Sequence, residues 1–106
     1  MIKKLFLLFI FLISSIAFSQ EKSIDKLMAY PNPFSNATKI SFDSSNNQNI
    51  LISIKNVLGN TVFLKQVEAR EGKNTITFNR NDLRSGMYIY AIQSNTDFIS
   101  KRFVIR

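Results

Sequence analysis

Residues 38–43 read TKISFD, in which apolar or β-branched side chains alternate with polar ones. A period of two places the two sets on opposite faces of a β-strand, whereas an amphipathic helix would need a period of 3.6. The alternation recurs at 50–54, 76–78 and 88–92, and no segment after residue 26 shows convincing helical periodicity. The pattern therefore predicts half-buried strands.

Polar or glycine-containing stretches at 44–49, 58–60, 69–74 and 94–97 separate these segments, as turns between antiparallel strands do. We predict seven strands, at residues 27–30, 37–43, 50–57, 61–67, 74–79, 87–93 and 98–105. Short strands at such regular spacing predict an all-β fold, an immunoglobulin-like antiparallel β-sandwich. The strand at 87–93 is apolar on both faces, which predicts a central position with both faces covered.

The composition excludes several functional classes. The 106 residues include no histidine and no cysteine, so imidazole acid–base chemistry, a thiol nucleophile, a disulfide framework and Cys- or His-based metal sites are ruled out. The aspartates are scattered and form no calcium-loop pattern. We expect no catalytic residue, no metal, no cofactor and no small-molecule substrate.

The first segment has the layout of an export signal. Lys3 and Lys4 precede an unbroken apolar run at 5–13, and small residues follow at Ala17 and Ser19. This order is typical of a secretory signal peptide, and the run is short for a transmembrane helix, which needs about 20 residues. We predict a signal peptide at residues 1–19 and export across the inner membrane, with a retained N-terminal membrane anchor as the alternative.

Residues 20–26 are predicted to form a short polar lead, and residues 27–106 a single domain. Removal of the signal would lower the net charge from +7 to +5, because Lys3 and Lys4 leave with it. The remaining basic residues are scattered and the aromatic ones lie at alternating core positions, so we expect no nucleic-acid partner.

Four short motifs occur in a fixed order along this domain. They are YPNPF at 30–34, VLGNTV at 57–62, LRSGMY at 83–88 and KRFVIR at 101–106. Each motif alone is common in proteins. Together and in this order, behind an export signal, they resemble the type A C-terminal sorting domain of the type IX secretion system.

The resemblance implies a seven-stranded immunoglobulin-like sandwich that acts as a secretion-targeting module without catalytic activity. It implies passage through an outer-membrane translocon and removal by a surface sortase, which are the expected partners. The expected location is secreted or on the cell surface of a gram-negative bacterium. Such a domain should follow a cargo, so the short lead leaves open a gene fragment, a remnant or a small exported protein. The alternative function is a stand-alone adhesin-like sandwich in the periplasm or at the cell surface.

The terminal strand is the predicted sorting signal, carried by Lys101, Val104 and Arg106. These positions match the family's pattern of a basic residue, an apolar residue and a basic end, although Arg106 stands where lysine is more usual. Spaced cations beside a free carboxylate offer a receptor acidic contacts or β-augmentation. The alternative is a solvated edge strand whose charges prevent aggregation.

A second predicted feature is a domain-opening turn formed by Pro31, Asn32, Pro33 and Phe34. Two prolines fix φ twice and remove two backbone donors. The turn is either purely structural or a junction near which a sortase cuts. Three further residues are predicted to have structural roles: Gly59 and Gly86 in turns, and Tyr88 with its ring in the core and its hydroxyl at the rim.

Overall fold

The computed structural model describes residues 22–106, so the predicted signal peptide at 1–19 lies outside the described residues. The described part consists of seven β-strands joined by turns and loops. They are β1 (Ile24–Tyr30), β2 (Ala37–Ser44), β3 (Gln48–Lys55), β4 (Thr61–Ala69), β5 (Gly72–Asn79), β6 (Gly86–Gln93) and β7 (Phe98–Ile105). A helix able to cross a membrane is not found in these residues.

The strands form two antiparallel sheets. One has three strands in the order β1-β2-β5, and the other has four in the order β4-β3-β6-β7. The prediction of an all-β sandwich is confirmed. Three connections cross between the sheets: residues 45–47 lead from β2 to β3, residues 70–71 lead from β4 to β5, and residues 80–85 lead from β5 to β6, with Leu83 packed against the core.

The largest difference from the predicted strands lies at β1, which begins at Ile24 rather than at residue 27. The pairing of β1 with β2 shifts between Asp25 and Met28, and Lys26 has a φ of 54°. This β-bulge puts one extra residue into the strand, so Ile24 and Leu27 both face the core although three positions separate them. The strict alternation sought in the sequence is therefore broken here.

The core lies between the inner faces of the two sheets. Three isoleucines of β3, at positions 50, 52 and 54, face Ile40 and Phe42 of β2 as parts of one buried cluster. Because successive side chains of a regular strand point to opposite faces, β2 and β3 each contribute every second residue to this cluster. The alternation in the sequence thus accounts for the core directly.

Strand β6 is central in its sheet, between β3 and β7, as predicted. The prediction that both of its faces are covered is wrong. Met87 and Ile89 on its outer face are exposed, and only Ala91 is buried there. No element of the described chain packs over that face near Met87 and Ile89, because the second sheet covers only the inner side.

Candidate functional site: the terminal strand and its clasp

Strand β7 divides the three predicted sorting residues between its two faces. Lys101 is in register with the buried Tyr90 and so occupies an inner-face position at the edge of the sheet. Val104 is in register with Met87 and points outward, and Arg106 follows with the same parity. Because parity sets the face, Val104 and Arg106 share one surface while Lys101 lies on the other.

Lys101 has no acidic partner at its register position. Burial raises the pKa of the Tyr90 hydroxyl, an effect partly offset by a hydrogen bond with the Ala29 backbone, so this phenol is neutral at physiological pH. A lysine on the inner face of an edge strand discourages a further strand from pairing there, because pairing would bury its ammonium group.

The predicted domain-opening turn is an internal connection between β1 and β2. Both peptide bonds that precede its prolines are cis, and Pro31 and Pro33 are exposed. The hydroxyl of Thr38 donates to the Pro31 carbonyl over 2.7 Å, which fixes the turn to the start of β2. Because β1 precedes the turn and pairs with β2, the turn does not open the sandwich.

Residues 32–34, here called the clasp, lie along the free edge of β7. The Asn32 amide donates to the Arg102 carbonyl over 3.2 Å, and its oxygen accepts from the Val104 N–H over 3.0 Å. The Phe34 N–H donates to the Val104 carbonyl, and its carbonyl accepts from the Arg106 N–H. The clasp thus satisfies the edge of β7 from Arg102 to Arg106, as an added strand would.

Phe34 anchors the clasp in the core. It is 2% exposed, and its ring stands edge-on to Phe103, with centroids 5.1 Å apart, and to Phe78 at 6.4 Å. Edge-to-face pairs at such distances are favourable beyond the burial of their area. The clasp therefore belongs to the packing of the sandwich.

Arg80 ties the clasp to the end of the chain, a role that the sequence analysis did not predict. Its guanidinium donates to the carbonyls of Ser35, Leu83 and Arg106. The planar fork of arginine can donate to several acceptors at once, which a lysine ammonium does in a less fixed geometry. Nothing in the sequence marks this arginine, because its acceptors are main-chain oxygens apart from the Ser85 hydroxyl, which accepts over 3.3 Å.

The other end of β7 is held by a polar cluster that was also missed. The Ser23 N–H and hydroxyl both donate to one carboxylate oxygen of Asp97 over 2.7 Å, and the Ser94 hydroxyl accepts from the Asp97 N–H. These bonds from Ser23 lower the pKa of Asp97 below its ordinary value of 3.8. The cluster fixes the start of the described chain to the turn between β6 and β7.

The predicted structural residues lie in turns and core. Gly59 has a φ of 86° in the turn between β3 and β4, and Gly86 a φ of 147° at the start of β6. Both lie in the region that favours glycine. The Tyr88 ring is buried, and its hydroxyl donates to the Arg84 carbonyl over 2.7 Å.

Within residues 22–106, His, Cys, Asp and Glu side chains nowhere gather in a group of three that could hold a metal ion. The surfaces at which side chains of the candidate signal meet solvent are the outer face of β7 and its inner rim at Lys101. The arrangement can provide contacts to a partner through exposed cations and an apolar side chain.

Comparisons with known proteins show the family of the chain. The family model described as "Secretion system C-terminal sorting domain" matches residues 28–106. The chain belongs to this family, that of the type IX secretion system. Membership implies a secreted or cell-surface protein that interacts with the type IX machinery. A search of curated proteins found no match.

Solved structures show the fold alone. A β-glucosidase from Erythrobacter marinus aligns with a TM-score of 0.53 at 8% identity, over 78% of this chain and 15% of that chain. A GH3 β-glucosidase from Bifidobacterium adolescentis aligns with a TM-score of 0.45 at 14% identity, over 78% and 17%. The sorting domain thus spans less than a fifth of either enzyme, and at these identities the likeness does not bear on activity.

Proposed function

We propose that the chain is a non-catalytic targeting module, which directs an exported protein through the outer-membrane translocon of the type IX system. In this proposal residues 1–19 are a signal peptide for export across the inner membrane of a gram-negative bacterium. A surface sortase then acts on the exported protein. The observation that carries the proposal is the family match over residues 28–106, which runs from β1 through the whole of β7.

The proposal includes an immunoglobulin type for the sandwich. Strands β1-β2-β5 and β3-β6-β7 are arranged like strands A-B-E and C-F-G of that class, and the fourth strand, β4, joins the second sheet beside β3. The hydrogen bond from Tyr88 at the start of β6 back to the Arg84 carbonyl has the features of a tyrosine corner.

Val104 and Arg106 are the proposed recognition residues, because their side chains are exposed on the outer face while the adjacent Phe103 and Ile105 are buried. Lys101 is proposed to act chiefly as a guard of the edge of β7, and its part in recognition is secondary.

Export of a reporter tests this function. A fluorescent protein is inserted after Gln20 in the full chain, and surface fluorescence is measured in a host with the type IX machine and in the same host without the translocon. Export that requires the translocon is the expected result. Equal surface fluorescence in both hosts would reject the sorting function and favour the adhesin-like alternative.

Point variants test the recognition residues better than deletion of residues 101–106, because that deletion would remove buried Phe103 and Ile105 and so abolish the fold. Val104→Ser and Arg106→Glu are expected to reduce export severalfold. Their matched controls are Val57→Ser, at an exposed hairpin tip, and Arg70→Glu, in the turn after β4. Equal export by variants and controls would count against these two residues.

A further inference from the structure

The outer face of the four-stranded sheet carries most of the exposed apolar side chains of the described chain. Ten large hydrophobic residues are exposed in residues 22–106, and register places six of them on this face. They are Leu51, Leu64, Met87, Ile89, Phe98 and Val104. Scattered single residues of this kind are normal on protein surfaces, but Met87, Ile89 and Val104 are neighbours by register, and a contiguous apolar group marks an interaction site.

Cations border the group on the side where β7 ends. Register puts Lys55 and Arg102 on either side of Ile89, and Arg106 follows Val104. The one acidic residue on the face is Glu68, on β4, where it pairs with Asn49 at the far corner. The surface around Ile89 therefore combines exposed apolar side chains with uncompensated positive charge.

The clasp determines how a partner reaches this surface. Residues 32–34 already occupy the edge of β7 from Arg102 to Arg106, so that stretch cannot take up a further strand while the clasp is in place. A partner that contacts Val104 and Arg106 must therefore approach from the outer face. There it meets Met87 directly beside Val104, and Ile89 beside Arg102.

The size and charge of the face indicate whether a second copy of the chain or a different protein binds there. Four strands of eight or nine residues give roughly 500 Å², from about 4.8 Å between strands and 3.4 Å per residue. A stable interface buries about 800 Å² per partner, so this face suits a transient contact. A second copy would bring cations against cations, whereas carboxylates on a partner would complement Lys55, Arg102 and Arg106.

We infer that the outer face of the four-stranded sheet is a transient docking surface for a protein partner whose apolar side chains are bordered by carboxylates. This inference rests on the proposed function, because it extends the recognition surface from Val104 and Arg106 to Met87, Ile89 and Lys55. It assigns recognition to a folded sheet face rather than to an extended tail.

Binding to outer-membrane vesicles tests the inference. The vesicles come from a type IX host and from the same host without the translocon, and the ligand is the full-chain reporter protein. Met87→Ser is compared with Met28→Ser, an identical change on the outer face of the other sheet with similar exposure, 40% against 49%. Lys55→Glu is compared with Lys39→Glu, because Lys39, like Met28, is exposed on the outer face of the three-stranded sheet.

We expect each variant of the docking face to bind translocon-containing vesicles roughly fivefold more weakly, or worse, while the controls bind like wild type. Binding should also weaken as salt rises. Equal binding by variants and controls would overturn the inference. Equal binding to vesicles with and without the translocon would also overturn it, because the reporter would then be binding lipid. A dimer in sedimentation that Met87→Ser abolishes would overturn it too, because the occupant would then be a second copy.

Two results separate this inference from the proposed function. Translocon-dependent export with no difference between Met87→Ser and Met28→Ser would leave the sorting function intact and remove the docking face. Weaker binding of Met87→Ser than of Met28→Ser to translocon-containing vesicles, without translocon-dependent export, would support the docking face and reject the sorting function. Thermal unfolding of each variant identifies a folding defect. If Met87→Ser is destabilised, the comparison of Lys55→Glu with Lys39→Glu, both at exposed positions, tests the inference instead.

Discussion

The two edge strands of the four-stranded sheet could each pair with a strand of another chain, and they are protected from this in different ways. The edge of β4 is open, since no strand among the described residues pairs with it beyond β3. The edge of β7 is closed by the clasp from Arg102 to Arg106. Both strands carry a lysine at an inner-face position near the middle: Lys65 opposite Ile52, and Lys101 opposite Tyr90.

The difference indicates what each edge must achieve. An inner-face lysine prevents pairing with another strand at almost no structural cost, and β4 requires nothing more. The clasp adds hydrogen bonds and a buried ring to β7, so it also holds the strand in register. If a partner recognises the outward side chains of β7, as proposed, the register of the strand must be fixed, because a slip of one residue would exchange its two faces.

The largest expected effect breaks the closed edge. Phe34→Ala removes a buried ring that contacts Phe103 and Phe78, and should lower the free energy of unfolding by about 3–5 kcal/mol. Leu64→Ala on the open edge, where the side chain is 62% exposed, should cost about 0.5 kcal/mol or less. Urea denaturation measures both, and similar losses would refute the contrast between the edges.

The next effect concerns Arg80, whose guanidinium joins the clasp to Arg106. Arg80→Ala should cost about 1–3 kcal/mol, because several main-chain carbonyls lose a charged donor. Arg80→Lys should recover only part of this, since it lacks the planar fork. Arg70→Ala, an exposed control in the turn after β4, should be nearly neutral.

Asn32 provides a smaller and more local effect. Asn32→Ala removes the bonds to Arg102 and Val104, and should cost about 1 kcal/mol. Amide hydrogen exchange at Val104 should accelerate, because its N–H loses its acceptor. Asn49→Ala, at an exposed position on β3, is the control, and unchanged exchange at Val104 in the Asn32 variant would argue against the clasp.

Replacement of Lys65 tests how the open edge of β4 is protected from pairing. Lys65→Val places an apolar side chain at the inner-face position of β4, so edge-to-edge pairing no longer buries a charge. Sedimentation velocity should then show concentration-dependent self-association, which Glu68→Val on the outer face of the same strand should not produce. A monomeric Lys65→Val protein would mean that another feature protects β4.

The smallest effect is a pH dependence at the other end of β7. The folded pKa of Asp97 is lowered by Ser23, so the stabilisation is present above the ordinary value of 3.8 and is lost as pH falls through the lower folded value. Asp97→Asn should abolish this part of the acid dependence. Urea midpoints measured between pH 5 and pH 2 check it, and parallel profiles for both proteins would reject it.

Sequence reasoning predicted the strands well wherever alternation was regular. The pattern at residues 38–43 gave β2, and the turn signals gave its neighbours. It failed at Ile24–Lys26, because the bulge at Lys26 lets two core residues stand three apart. It also overestimated the cover of β6, because apolar side chains at Met87 and Ile89 indicate burial only if a layer lies above them.

The candidate site was harder to predict, for a physical reason. A motif search identifies Asn32 and Phe34 but not what they contact, since their partner strand lies about 70 residues away along the chain. Arg80 donates chiefly to main-chain oxygens, and Ser23 bonds to side chains of the distant turn at 94–97, so neither residue leaves a spacing pattern in the sequence. The division of Lys101 from Val104 follows from parity alone, because an odd and an even position of one regular strand lie on opposite faces.

The alternation along β7 has one further consequence. Folding buries Phe103 and Ile105 in the core and leaves the adjacent Val104 and Arg106 exposed on the outer face. In an unfolded chain these four side chains would be equally accessible, and the outward surface with its neighbouring strands would not exist. Under the proposed function, the sorting signal therefore exists only in the folded domain, so its recognition would select folded chains over unfolded ones.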